Sequence, residues 1–174
     1  MIDPLVPDNE RERFWAALDR DVQRAGHRAH VLITVFWHTR STTEIVARYG
    51  ARVWAPSRAR AVVERRAGVV TDVFRPGDPL PGGAEALATA RRNEVVYWLP
   101  GSRAVVPGDV ILGDDEGGLR LCPDSWLPGS TGQAELRASL QPLRDLPVEK
   151  VLVSHGEPVL RGARLAIERM LSPR

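Results

Sequence analysis

The sequence predicts an α/β fold, mixed sheets flanked by helices, on three observations. His30–Pro56 (HVLITVFWHTRSTTEIVARYGARVWAP) holds one complete βαβ unit. Glu94–Leu99 and Ala104–Val106 flank a compact PGSR turn and read as an antiparallel hairpin. Lys150–Ser154, an exit loop from His155 to Pro158 and a helix over Gly162–Leu171 return the chain to α/β texture. Helices on both faces of a mixed sheet satisfy all three.

In chain order, MIDP reads as the end of a strand whose start is absent, turning on Asp3-Pro4. Asp8 or Asn9 caps a helix running to about Ala25, with Phe14, Trp15, Leu18 and Val22 as its apolar face and Gly26 as its stop. Val31–Phe36 is apolar and rich in β-branched residues, as a buried parallel strand requires. Ser41, Thr42 or Thr43 caps the next helix, whose Ile45, Val46 and Tyr49 share a face, and Gly50 ends it. Arg52–Ala55 is the second strand. Ser57 caps a helix over Arg58–Ala67 that ends on Gly68, and Val69–Phe74 is a third strand.

Beyond it, PGDPLPGG is a loop and Ala84–Ala90 a weak strand preceding the hairpin. Gly108-Asp109 leads into a strand at Val110–Leu112, DDEGG makes a loop, and Gly118–Cys122 is one more short strand. Cys122–Gly132 has the composition of an ordered surface loop anchored by Trp126. Thr131 caps a helix from about Gln133 to Arg144, which Pro142 kinks or stops early.

Composition excludes several classes. At 174 residues, 43% hydrophobic and 26% charged, the chain is expected to be one soluble domain over 1–174. No apolar run reaches the length of a membrane span and no signal-peptide pattern opens the chain, so a cytoplasmic protein is expected. The single cysteine, Cys122, permits no intramolecular disulfide and reads as a small, partly buried apolar residue. Arg58, Arg60, Arg65 and Arg66 are interrupted by Glu64 and lack an interleaved aromatic platform. They read as a solvated face, and neither a nucleic-acid nor a membrane partner is expected. There is no Gly-rich phosphate loop.

In open α/β sheets chemistry is usually placed after the C-terminal ends of strands, so VFWHTRS at 35–41 is the first place to look for a function. With IDPLVP, VVYWLPGSRAVVPGDVILG and VLVSHGEPV, in that order, it resembles the metallo-β-lactamase fold superfamily over nearly the whole chain. The resemblance implies an αββα arrangement and, in most members, hydrolysis of esters, amides, thioesters or phosphodiesters with one or two metals, commonly zinc. It also implies ligands from an HxHxDH motif, a later histidine, a Gly-Asp aspartate and a last histidine.

In this chain the motif's ligand positions fall on Val35, Trp37, Thr39 and Arg40, and the intermediate histidine falls near Ala90 or Arg91. Asp109 and His155 alone match. A catalytic zinc needs about three protein ligands, so no dinuclear site is expected and no metal cofactor is assigned. A mononuclear zinc held by Asp109, His155 and a shifted His38 is the alternative. Metal-free, Asp109 is expected to pair with Arg40, with His155 bonded into the same network. His27 and His30 read as solvated or structural. Ser154 and His155, as strand neighbours, are expected to point to opposite faces. A Ser125, His155 and Asp109 set has nothing local to activate the serine.

The expected function is that of a degenerate, non-hydrolytic member that binds an unknown small molecule or acts as an accessory protein. The alternatives are a hydrolase with a reduced site using His38, Arg40, Asp109 and His155, and an oligomerisation protein whose vestigial cleft is filled by Trp37 and Arg40. The family's first strands precede its IDP segment. Either some N-terminal strands are lacking or the start is placed too late, and a missing β-layer would favour a homodimer.

Overall fold

A glycine ends a helix most cheaply where the backbone must turn left-handed, and this chain uses that device repeatedly. Gly50 sits at φ 59°, ψ 30° and donates its N–H to the Val46 carbonyl at 2.8 Å. Gly26 and Gly68 do the same for the helices before and after it. The computed structural model describes residues 1–129 and 131–172; Ser130 of the predicted surface loop, with Pro173 and Arg174, lies outside the described residues. Two compact units follow one another, Met1–Phe74 and Arg75–Arg174.

The first unit contains helix α1 (Arg11–Ala25), strand β1 (His30–Leu32), helix α2 (Thr42–Tyr49), strand β2 (Arg52–Pro56), helix α3 (Arg60–Ala67) and strand β3 (Asp72–Phe74). The strands pair in the order β1-β2-β3, all parallel, with Leu32 opposite Trp54 and Trp54 opposite Asp72. Its core gathers Val31, Ile33, Ile45, Val53, Ala55 and Val63, all essentially inaccessible, with Trp15, Leu18, Val46 and Tyr49 packed against it. The predicted βαβ unit and the shared face of α2 are therefore present. On α1, Arg48 forks onto Asp19 at 2.8 and 2.6 Å, and the Tyr49 hydroxyl donates to Asp19 at 2.7 Å.

Several local expectations are corrected. Neither Asp8 nor Asn9 caps α1, which starts after Glu10 with no side-chain cap. Ser41 occupies the N-cap position of α2, but its hydroxyl accepts the Val6 N–H at 3.0 Å instead of a helical amide. Ser57 does not cap α3, which begins two residues later than predicted; the Ser57 N–H donates to Phe74 O. The Val31–Phe36 strand stops at Leu32. Asp3 takes the Thr34 N–H at 2.9 Å and the Thr34 hydroxyl as well, and the chain then turns, with His38 N–H on the Val35 carbonyl. Strand β3 is likewise shorter than Val69–Phe74.

The second unit holds strands β4 (Glu85–Ala88), β5 (Val95–Leu99), β6 (Ala104–Val106), β7 (Ile111–Gly113) and β8 (Leu119–Leu121), helix α4 (Gln133–Ser139), strand β9 (Lys150–Val151) and helix α5 (Ala163–Leu171). One sheet runs β4-β5-β6-β9, antiparallel except for the parallel β6–β9 pair, and β7 and β8 form a separate antiparallel pair. The predicted hairpin is present in register Tyr97↔Val106, turning through Pro100–Ser102. Val96, Val105, Ile111, Leu136, Leu143, Ile167 and Leu171 make the core of this unit.

Here too the sequence reading needs adjustment. Thr131 does not cap α4; Gly132 stands at its N-cap. Pro142 does act as a stop, because α4 ends at Ser139 and a 3-10 turn follows over Gln141–Asp145. The predicted Lys150–Ser154 strand ends at Val151, so Ser154 and His155 leave the ladder. Trp126 is 40% exposed and anchors nothing; Leu127 packs on the core in its place. Cys122 is fully buried, and burial pushes its thiol up to about 11, so it stays a neutral, inert thiol.

Candidate functional site

The residue around which the second unit builds its polar centre is Asp109. It ends the Gly-Asp step just ahead of β7 and is 3% exposed. A buried carboxylate needs partners. One is Ser154, whose hydroxyl lies 3.0 Å from Asp109 Oδ1 and 2.7 Å from the Gly108 carbonyl. Another is His155, with Nε2 3.3 Å from the same oxygen. Both reach it because β9 has already ended. The expectation that Ser154 and His155 diverge is overturned by that early end. The serine that meets Asp109 is Ser154, and Ser125 is exposed.

The loop that carries His155 is held by contact between two glycines. A Cβ on Gly113 would sit 2.5 Å from the Glu157 carbonyl oxygen, and one on Gly156 would sit 2.8 Å from the Gly113 oxygen. The Gly113 N–H donates to the His155 carbonyl at 2.9 Å. The imidazole is half exposed, and the Trp126 ring stands edge-on to it with centroids 5.9 Å apart. A half-exposed histidine backed by a buried carboxylate and flanked by an indole can meet a ligand from solvent.

Behind Asp109 lies a buried ion pair that sequence reasoning missed. Glu94 has no exposed side-chain surface, and Arg91 is almost as buried. One Glu94 oxygen accepts the backbone N–H groups of Asp109 and Val110; the other takes Arg91 Nη1 at 2.9 Å. The segment ahead of β5 therefore clamps the Asp109 backbone. Burial pushes the Glu94 carboxyl up to about 7, against the opposing pull of Arg91 and the two amides.

In the first unit, His38 is buried, and its Nδ1 lies 2.9 Å from Asp3 Oδ2. Asp3 itself is held at φ +43°, a left-handed conformation uncommon outside glycine, by the bonds its carboxylate makes. Val35 is fully buried and Trp37 half-buried against Phe36. Arg40 is exposed and joins none of the ion pairs among the described residues of its unit. His30 is not merely solvated: its Nδ1 accepts the Trp54 indole N–H at 3.0 Å.

No protein-family model and no curated protein matches the sequence. Solved structures do match. A DIM-1 metallo-β-lactamase exposed to ceftazidime superposes with a TM-score of 0.67 at 14% identity, over 98% of this chain and 76% of that one. A metallo-β-lactamase from Hirschia baltica gives 0.64 at 11% identity, over 99% and 80%. One from Pontibacter korlensis gives 0.59 at 17% identity, over 82% and 67%. This chain has the metallo-β-lactamase fold.

Proteins with the metallo-β-lactamase fold typically bind zinc, so the donors present were tested against that ion. Val35, Trp37, Thr39 and Arg40 supply no imidazole, carboxylate or thiolate. His38, Asp109 and His155 remain the residues of a type that could hold one ion. Among the described residues, no helix is long and apolar enough to cross a membrane.

Proposed function

We propose that this chain is a degenerate metallo-β-lactamase-fold protein that does not hydrolyse through a dinuclear centre and instead binds a small molecule, as an accessory protein. What supports this reading is the chemistry of the residues to which the resemblance assigns ligand positions: Val35 lies in the core, and Arg91, near the position expected for the intermediate histidine, pairs with Glu94. A binding role needs only a shaped polar spot, and the Asp109, Ser154, His155 and Trp126 group supplies one. The unidentified small molecule is the proposed partner, with a homodimer as the proposed assembly.

The test is metal analysis of protein purified without chelator, combined with hydrolysis assays on β-lactam, thioester and phosphodiester substrates. This reading expects substoichiometric metal and no turnover. One zinc or iron per chain with chelator-sensitive turnover overturns it.

A second reading, a hydrolase with one metal held by Asp109, His155 and His38, is favoured by the Asp3–His38 bond. A carboxylate on Nδ1 sets the neutral ring with its lone pair on Nε2, as the outer partners of metal-bound histidines do. Under that reading, substituting any one of the three by alanine removes the ion. Esterase activity that is metal-free yet lost in both Asp109→Ala and His155→Ala points to a non-metal site, with Arg40 as an anion holder.

A further inference from the structure

Helix α5 carries Leu165, Ala166 and Arg169 at helical spacing, and with Gly162 at its N-cap that stripe lines a cleft. The opposite wall is the turn between β7 and β8. The cavity measures about 380 Å³, inside the range of small-molecule sites. Its floor is apolar: Leu119 and Val159 are almost fully buried, while Leu165 is 50% exposed. Arg161, which precedes the helix, and Arg169, near its C-terminal end, both line the cleft. Both are exposed, and neither joins an ion pair among the described residues.

The turn opposite restricts what the arginines can take. The Asp114 carboxylate is turned onto its own backbone, accepting the N–H groups of Glu116 at 3.0 Å and Gly118 at 2.6 Å. A Cβ on Gly118 would sit 2.7 Å from that carboxylate, so a larger residue there would displace the Asp114 side chain. Glu116 lines the same wall and repels a multiply charged ligand.

We propose that this cleft between helix α5 and the β7–β8 turn binds an amphipathic ligand with one anionic head, a monocarboxylate carrying a short apolar tail. The head sits on Arg161 or Arg169 and the tail on Leu119, Val159, Leu165 and Ala166. None of these residues belongs to the Asp109–His155 group, so the site stands independently of the function proposed above.

The test is calorimetric titration of the full chain with sodium octanoate, octylamine and acetate. Octanoate is expected to bind saturably at one site, and octylamine and acetate are not. The Arg161→Gln/Arg169→Gln double variant weakens octanoate by about tenfold or more, as loss of a charge-assisted contact does. Leu165→Glu abolishes binding, and His155→Ala retains it. All changed side chains are exposed or half exposed, and a thermal melt checks that each variant is folded. Octylamine binding as well as octanoate, octanoate binding undiminished in the double arginine variant, or no saturable binding at all overturns the proposal.

Discussion

The backbone N–H of Val110 donates to Oε1 of Glu94 at 2.8 Å, across 16 residues of sequence. Through that bond, and its neighbour from Asp109, a side chain from the segment before β5 fixes the backbone that presents the buried aspartate. Three donors converge on a carboxylate with no access to water.

Glu94→Ala is expected to destabilise the protein by about 3 kcal/mol, because Arg91 and the Asp109 and Val110 N–H groups lose their buried acceptor. The wild type should also show a pH slope that the variant lacks. The folded Glu94 carboxyl stands at about 7 against an ordinary 4.5, so the native state holds a proton that the unfolded chain has released. Its contribution is fully present below the unfolded value and is lost as pH rises through the folded one. Urea unfolding from acid to neutral pH, wild type against variant, reads both effects.

His30 gives the opposite slope. Burial first, then the Arg52 charge, holds its imidazole below its ordinary 6.5. Protonation removes the lone pair that accepts the Trp54 indole N–H. Stability from this group is complete above the unfolded value and is lost as pH falls through the folded one. His30→Gln should flatten that limb of the stability profile, monitored by tryptophan emission during unfolding.

Gly113→Ala is expected to cost about 1–3 kcal/mol, since its new methyl meets the Glu157 backbone with no flexible side chain to yield. The displaced loop carries His155, so the His155 ring resonances in an NMR spectrum should move further than those of His27. Unchanged stability with unmoved resonances would contradict the close approach of the two backbones.

Asp3→Ala removes the acceptor for the Thr34 N–H and for His38 Nδ1. A loss of about 1–3 kcal/mol is expected for leaving these donors unsatisfied. Asp3→Asn should recover part of it, because the amide oxygen still accepts one of them. Thermal melts of the two variants against wild type decide this.

The parts of this fold legible in the sequence are those whose cause is local. Glycines at 26, 50 and 68 stop helices by their own backbone freedom, and Pro142 ends α4 by lacking an N–H. Capping side chains were less legible, since a hydroxyl such as that of Ser41 chooses between a helical amide and a distant one, here Val6. Strand ends failed for the same reason: Val31–Phe36 is apolar throughout, yet Asp3 diverts the chain at Thr34. Asp109 and His155 were visible through the motif order. Glu94, Ser154 and Asp3 were not, because each acts on a partner at least 15 residues away and follows no period.

The burial of Val35 decides what a histidine placed at this position would meet. It would bring a ring with two nitrogens into a space closed to solvent. The imidazole would need a hydrogen-bond partner or an ion at once, and until one was present the substitution would be a packing defect. A design that puts an imidazole at residue 35 therefore has to open the core there and supply the ring's partner in the same step.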